Sequence, residues 1–470
     1  LDTLAEAFLG NKALFEGLYL EKNWDWSKKY PVVRISFGGG QFQTGEQLEI
    51  RIHELLSDNA RHFGISLTNS SIPGRFSELI THVAQQHGSR VVVLIDEYDK
   101  PILDVITDRD KVAVMREGLK GLYSVLKDVD ADLKFVFLTG VSKFAQVSVF
   151  SGLNNLRDVS LNPEYGAICG YTQTELQTVF AEPLKDVDLQ ELKSWYNGYN
   201  FLGEKVYNPF CLLQFLENKL FSNYWFQSGT PTFLVKLFQE KHVEVPRLDG
   251  FRISANMMAS FDIENIRVET LLFQAGYLTI TEVVPDPYDQ RIQNYVLGFP
   301  NREVRMSFTE FFVEYFAQSG TVVQTARTSL MPLLHEGNAE GLKAAFDVLF
   351  ASIPHQWYTK NDLASYEAFY ASIFFCTFHA LGLDVRAEEP TNKGRVDLIV
   401  RLPKFIYLFE FKVVEFDTSG QKPMAQIKAR CYPEKYQDPS SELILVGIEF
   451  SEKARGITGY AVEHTNQVRP

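Results

Sequence analysis

The chain has few cysteines, no long apolar run and no excess of positive charge, and each shortage removes a class of protein. Only four cysteines occur in 470 residues (Cys169, Cys211, Cys376 and Cys431), and no two form a Cys-x-x-Cys pair. A disulfide framework or a zinc ribbon is therefore not expected. The same cysteine usage fits a reducing cytoplasm. No uncharged apolar run reaches the roughly 18 residues a spanning helix needs, so no membrane partner is expected, and no signal peptide is expected either. Net charge is −13, so a surface for nucleic acid would have to be local. Apolar and aromatic residues are plentiful, at 45% hydrophobic with 37 Phe and 21 Tyr. Together with the length this predicts about three domains with large cores.

The first informative stretch is Val91 to Pro101, Val-Val-Val-Leu-Ile-Asp-Glu-Tyr-Asp-Lys-Pro. An unbroken apolar run this short suits a strand buried on both faces, as in a parallel sheet covered by helices. Acids at the C-terminal edge of such a strand sit where α/β sheets bind ligands. Asp96 would hold Mg²⁺ and Glu97 would orient or deprotonate an attacking water. The competing reading is a core strand ending in a solvated acidic turn. Around it, strands are predicted over Val32–Phe37 and Lys134–Gly140, with helices over Thr44–Phe63, Arg75–His87 and Lys111–Lys127, a parallel α/β pattern. Thr139 and Lys143 follow the third strand, where they would sense a γ-phosphate, or serve as turn residues. Gly40-x-x-x-x-Gly45 looks like half of a phosphate-binding loop. Glu46 and Gln47 stand where that motif requires Lys and Ser or Thr, so it predicts a turn, and no other candidate loop occurs. Leu1 to Gly10 has helical periodicity closed by Gly10 but no N-cap, so the sequence is expected to open inside a helix whose start is missing.

Between these regions, Trp195–Phe201 and Val206–Phe210 are aromatic loops rich in Asn and Gly. They would clamp two subdomains or stack on a base. Residues 226–345 carry no obvious catalytic cluster. A helix over Ile263–Tyr277 and strands over Tyr277–Val284 and Arg291–Leu297 are compatible with a winged-helix-like connector.

The second informative stretch lies beyond residue 350. A long helix is predicted over Asp362–Leu381, with Glu367 among its aromatic residues. Strands follow at Gly394–Val400 and Phe405–Val414. The second carries Glu410 and Lys412, which the two-residue period of a strand puts on one face. A hairpin would bring Asp397 to them. Charges inside such apolar strands are costly without partners, which points to a metal-and-water site: Asp397 and Glu410 binding Mg²⁺ through oxygen, Glu367 completing the shell, and Lys412 acting on the water and on charge at phosphorus. A Glu–Lys pair on an exposed strand is the alternative. A helix from Ala425 to Tyr436 would set Gln426 beside the site, and Leu443–Ile448 reads as another strand. From 386 to 436 there are ten Lys and Arg against seven Asp and Glu, a local excess that suits a phosphate-facing surface.

Leu94-Ile-Asp-Glu-Tyr-Asp-Lys-Pro-Ile102, Leu138-Thr-Gly-Val-Ser-Lys-Phe144, Phe150-Ser-Gly-Leu-Asn-Asn155, Trp195-Tyr-Asn-Gly-Tyr199 and Tyr207-Asn-Pro209 together resemble the predicted AAA-ATPase-like family. Tyr366-Glu367, Gly394-Arg-Val-Asp397, Phe409-Glu-Phe-Lys412, Gln426 and Tyr432 resemble the PD-(D/E)xK nuclease superfamily domain often fused behind it. The resemblance implies a P-loop-type parallel sheet in 1–225, a helical connector in 226–345 and a restriction-endonuclease-like α/β domain in 346–470. It implies a Mg²⁺- or Mn²⁺-dependent nuclease acting on nucleic acid, DNA rather than RNA, in a homo-oligomer. Asp397, Glu410, Lys412, Glu367 and Gln426 would be catalytic, and Asp96, Glu97, Thr139 and Lys143 would face ATP. The family's Walker A loop precedes the first helix and does not occur here, so ATP binding is expected only if that upstream segment is present. The rival expectation is a nucleotide-regulated interaction or defence-signalling protein with a silent nuclease-like fold.

Overall fold

The computed structural model describes residues 1–142, 156–228, 244–259, 267–353, 367–391, 394–414, 421–429, 441–451, 454 and 456–465. The chain divides into two compact units, one built mainly on Leu1–Val159 and the other on Ser160–Thr230 and Gly276–Pro470. Among the described residues no helix is long and apolar enough to cross a membrane.

The first unit is built around a three-stranded parallel sheet in the order β1-β2-β3, from β1 (Val32–Ser36), β2 (Val91–Asp96) and β3 (Leu133–Leu138). Val91 to Ile95 are fully buried, as the unbroken apolar run requires of a central strand. Helix α1 (Asp2–Leu9) ends on Gly10 in the left-handed conformation, and Ala5 and Phe8 pack on Val32, Val92 and Leu94. Helix α2 (Gly45–Phe63) starts at a capping box in which Thr44 and Gln47 satisfy each other's backbone N–H groups. Helix α3 (Ile72–His87) begins three residues before the predicted Arg75, because Ser71 caps it and Pro73 is tolerated in its first turn. Helix α4 (Arg109–Asp128) then leads into β3.

The second unit opens with α5 (Gln173–Val179) and α6 (Leu189–Tyr196), a short ribbon of β4 (Asn197–Tyr199) and β5 (Val206–Tyr207), and α7 (Pro209–Asn218). Trp195, Tyr196, Tyr199 and Tyr207 are buried, and all but Tyr199 share one cluster with Leu192, Cys211 and Phe215. These rings are core and are not presented for stacking on a base. Gly198 has a φ of +130°, and a Cβ there would lie 1.8 Å from the Pro300 carbonyl oxygen, so only glycine fits. The predicted hairpin forms from β6 (Thr279–Pro285) and β7 (Gln293–Gly298). Helix α8 (Arg302–Ala317), capped by Asn301, carries the fully buried Glu303 in its first turn. The Glu303 carboxylate accepts the Trp225 N–H at 2.8 Å, and burial pushes its pKa from the ordinary 4.5 to about 7. Helices α9 (Val322–Glu336) and α10 (Ala339–Ala351) follow.

The chain ends in a five-stranded sheet with the order β12-β11-β10-β9-β8. The strands are β8 (Asp384–Thr391), β9 (Gly394–Arg401), β10 (Phe405–Val414), β11 (Glu442–Ser451) and β12 (Gly456–Thr465). The β10/β11 pair is parallel and the other pairs are antiparallel. Helix α11 (Glu367–Ala380) lies on one face: Phe374 sits 4.9 Å from Phe411, and Tyr370 stacks on Phe450 at 4.1 Å between ring centroids. Helix α12 (Gln421–Ala429) covers the other face, with Met424 and Ile427 against Ile399, Leu408, Leu443 and Leu445. The mixed α/β architecture, a parallel sheet first and a helix-covered mixed sheet last, is the expected fold class. Of the predicted stretches, Lys143–Asn155, Ile263–Ile266, Asp362–Tyr366 and Arg430–Tyr436 lie outside the described residues.

Candidate functional site

Two groups of acids stand out. The first lies at the C-terminal edge of the parallel sheet. Asp96 is the last residue of β2, in register with Ser36, and its Oδ1 accepts the Glu97 N–H at 3.0 Å. Glu97 has a φ of +50°, a left-handed conformation that is uncommon outside glycine. Its side chain lies against the glycine turn, where a Cβ on Gly38 would stand 3.1 Å from Oε1. Burial, and then the charge of Asp96, push the Glu97 carboxyl above its ordinary range. Thr139 is held beside these acids, donating its N–H to the Ile95 carbonyl and accepting the Tyr98 N–H. The structure thus brings Asp96, Glu97 and Thr139 to one sheet edge, while Lys143 lies outside the described residues.

A fourth residue there was not anticipated. Asp99 is fully buried, its Oδ1 accepting the Val141 N–H at 3.2 Å and its Oδ2 accepting both the Ser142 N–H and, at 2.6 Å, the Ser142 hydroxyl. Asp99 therefore ties the turn after β2 to the segment after β3. A Cβ on Gly140 would lie 2.3 Å from Asp99 Oδ1, so this segment needs glycine. The only sequence sign was a third acid in Asp-Glu-Tyr-Asp, which looks like more of the same turn.

The Gly40–Gly45 loop is a turn, as its residues predict. Gln47 is used to close it, its Oε1 accepting the Gln43 N–H at 2.7 Å. Nearby cations are engaged by protein groups. Lys100 Nζ donates to Asp104 at 2.9 Å, and Arg51 pairs with Glu54 at 3.3 Å. This edge offers carboxylates and a hydroxyl, chemistry that suits a hard cation and water.

The second group lies on the α12 face of the C-terminal sheet. The β9/β10 register pairs Leu398 with Phe409, and one step further it sets Asp397 opposite Glu410. Glu410 is fully buried, and Asp397 is half-buried, with its Oδ2 accepting the Phe411 N–H at 2.8 Å. The Gln426 amide of α12 donates to Glu410 Oε1. Lys412 is half-buried two residues along from Glu410 and so on the same face. Asp397, Glu410, Lys412 and Gln426 are therefore brought together by strand register and by the helix that covers them. Glu367 opens α11, and its side chain lies outside the described residues.

Sequence reasoning missed Glu449. It sits on β11, fully buried, as the Cα partner of Lys412 in the parallel β10/β11 register. Its signal was available, since Glu449 is a lone acid in the apolar run from Leu443 to Phe450, the pattern that singled out Glu410.

Among the described residues no three His, Cys, Asp or Glu side chains converge into a ready-made metal cage. Two facing carboxylates still fit Mg²⁺, which keeps several waters and is commonly held by one or two carboxylates. The donors are all oxygen, which disfavours a soft metal.

Residues 1–150 match the family described as Predicted AAA-ATPase, and residues 365–459 match the PD-(D/E)XK nuclease superfamily. The first match includes Asp96, Glu97, Asp99 and Thr139, and the second includes every residue of the second group. The chain is similar to an "Uncharacterized protein in vnfD 5'region" of Azotobacter chroococcum mcd 1, with 46% identity over 466 residues that cover 98% of this chain and 89% of that protein. No solved structure matches the chain.

Proposed function

Because the chain belongs to the family that joins a predicted AAA-ATPase-like domain to a PD-(D/E)XK nuclease superfamily domain, we propose that it processes nucleic acid by metal-dependent hydrolysis of phosphodiester bonds. The observation that carries this reading is the meeting of Asp397 and Glu410 across β9 and β10, with Lys412 on the same face and Gln426 bound to Glu410. The superfamily usually uses divalent metal ions. Asp397 and Glu410, joined by Glu367, would hold Mg²⁺ or Mn²⁺, which when bound polarises the phosphate and lowers the pKa of water. The protein's own groups do the rest. Gln426 fixes the Glu410 carboxylate, and the Phe411 N–H fixes that of Asp397. Lys412 positions the water and offsets charge developing on phosphorus. DNA is the proposed substrate, RNA the less favoured one, and the setting is a cytoplasmic homo-oligomer.

The parallel-sheet module would regulate or position the nuclease. Asp96, Glu97, Thr139 and Lys143 are the proposed nucleotide-facing residues, with Asp96 on Mg²⁺. ATP binding is proposed only for a chain that carries a Walker A loop upstream of Leu1. The second reading is a nucleotide-regulated interaction or defence-signalling protein with a silent nuclease-like fold.

Incubation with plasmid and with single-stranded DNA, in Mg²⁺ and in Mn²⁺, separates the two. Cleavage by the wild type but not by Asp397→Ala or Lys412→Ala is the expected result. Equal cleavage by all three would remove the assignment. No cleavage by any, with no Mn²⁺ bound near Glu410, would favour the silent fold.

A further inference from the structure

We infer that Glu449 is the positioning residue of the nuclease site, a buried carboxylate that pairs with Lys412 and holds its ammonium group away from Glu410. Glu449 is fully buried, and a carboxylate taken out of water needs a compensating charge or several hydrogen bonds. Its strand neighbours narrow the choice of cation. On the β12 side its register partner is Gly459, which has no side chain. On the β10 side its partner is Lys412. On α12, Lys428 is engaged with Glu463. Among the side chains described on these elements, Lys412 is thus the cation that faces Glu449.

Lys412 stands between two acids on one face. Registered residues on adjacent strands are about 4.8 Å apart, whereas residues two apart on one strand are separated by about 6.6 Å. The cross-strand acid, Glu449, is therefore the nearer anchor, and Glu410 is the farther one. Gly447 is the β11 residue in register with Glu410, so the position directly beside Glu410 on that strand carries no side chain. The effect is a division of labour. Glu449 takes the ammonium, and Glu410, held by Gln426, keeps its oxygens available for a cation. Without Glu449, the flexible Lys412 stem would fold back onto Glu410 and neutralise it.

The kinetic half of this inference rests on the nuclease reading. The stability half does not, and it is tested first. Thermal unfolding of the full chain is compared for wild type, Lys412→Met, Glu449→Gln and the double variant. Removing one partner of a buried pair leaves the other charge uncompensated, so each single change should lower the melting midpoint by roughly 5 °C or more. The double variant should fall by clearly less than the sum. Strict additivity would overturn the pairing, even in a protein that cleaves nothing. If DNA is cleaved, Glu449→Gln should lower kcat about tenfold or more with KM changed less than about twofold. It should slow Lys412→Met no further. Mn²⁺ affinity, read by electron paramagnetic resonance, should fall in Glu449→Gln, where Lys412 folds onto Glu410, and should recover in the double variant, which has no ammonium group to fold. A tenfold loss of Mn²⁺ binding that persists in the double variant would make Glu449 a metal ligand and overturn its role as anchor of Lys412. Absence of cleavage in the wild type, with a non-additive stability cycle, would reject the nuclease reading and keep the pair.

Discussion

Asp96 and Glu410 both announce themselves as acids attached to apolar strands, and the fold uses them in opposite ways. Asp96 closes β2 at the sheet edge, half-buried beside Glu97 in its left-handed conformation. Glu410 lies inside β10, fully buried beneath α12 and bound by Gln426. In the first unit the catalytic-looking acids stay near solvent, while the deeply buried acid, Asp99, spends its oxygens on the protein's own N–H and O–H groups. In the C-terminal sheet one of the two buried acids, Glu410, is itself the proposed ligand. Burial alone therefore does not identify a working carboxylate. What separates the two cases is the partners: both Asp99 oxygens take donors from the segment after β3, whereas Glu410 Oε1 takes the Gln426 amide of the helix above it.

Four experiments press on that contrast. The largest effect is expected at the C-terminal sheet, where Asp397→Ala and Lys412→Ala should each reduce DNA cleavage by about a thousandfold or more. Circular dichroism should show an unchanged fold, and cleavage within tenfold of wild type would place the active group elsewhere. Asp99→Ala should act the other way, on stability and not on cleavage. It strands three donors in a buried place, so urea unfolding should show a loss of about 3–5 kcal/mol. A loss below about 1 kcal/mol would mean the β2–β3 tie is unimportant.

Glu303 offers a third case, buried with a titratable charge at neutral pH. Its native pKa of about 7 lies above the ordinary 4.5, so between those values the native state holds the proton more tightly than the unfolded chain does. Stability from this group is fully present below about pH 4.5 and is lost as pH rises to about 7. The shift corresponds to at most about 3 kcal/mol. Glu303→Gln should cancel that loss and flatten the stability profile between pH 5 and 8, approximately. An unaltered pH profile in the variant would assign the titration to another group. The smallest effect is expected at Thr44→Ala, which removes the capping box of α2 at a cost of about 1 kcal/mol. Differential scanning calorimetry would detect it, and no change would show that Gln47 closes the Gly40–Gly45 loop by itself.

Much of the architecture was legible because apolar periodicity is a local property. Val91–Asp96, Phe405–Val414 and Gly394–Arg401 form strands where their patterns predict them. In the C-terminal sheet the strands that escaped notice, β8 and β12, are its two edges. An edge strand is paired on one side only and tolerates residues a central strand does not. Hence β8 contains Pro390 with Arg386, Glu388 and Glu389, and β12 contains Gly459. The site was legible where two residues share one strand, as Glu410 and Lys412 do. It was not legible where register between distant strands decides, as for Lys412 and Glu449, or where a loop acid turns inward, as Asp99 does.

The parallel pairing of β10 with β11 has a consequence for the order of synthesis. Antiparallel neighbours can be joined by a tight hairpin, but parallel ones need a crossover, and here the crossover contains α12. The recognisable acid–lysine pair is complete once Lys412 has been made, yet β11 starts 30 residues later (442 − 412). During that interval β10 has no partner on one side, and Gln426, Gly447 and Glu449 are not yet in place. A chain still emerging from the ribosome thus carries the motif without the site, and acquires the site only when α12 and β11 dock.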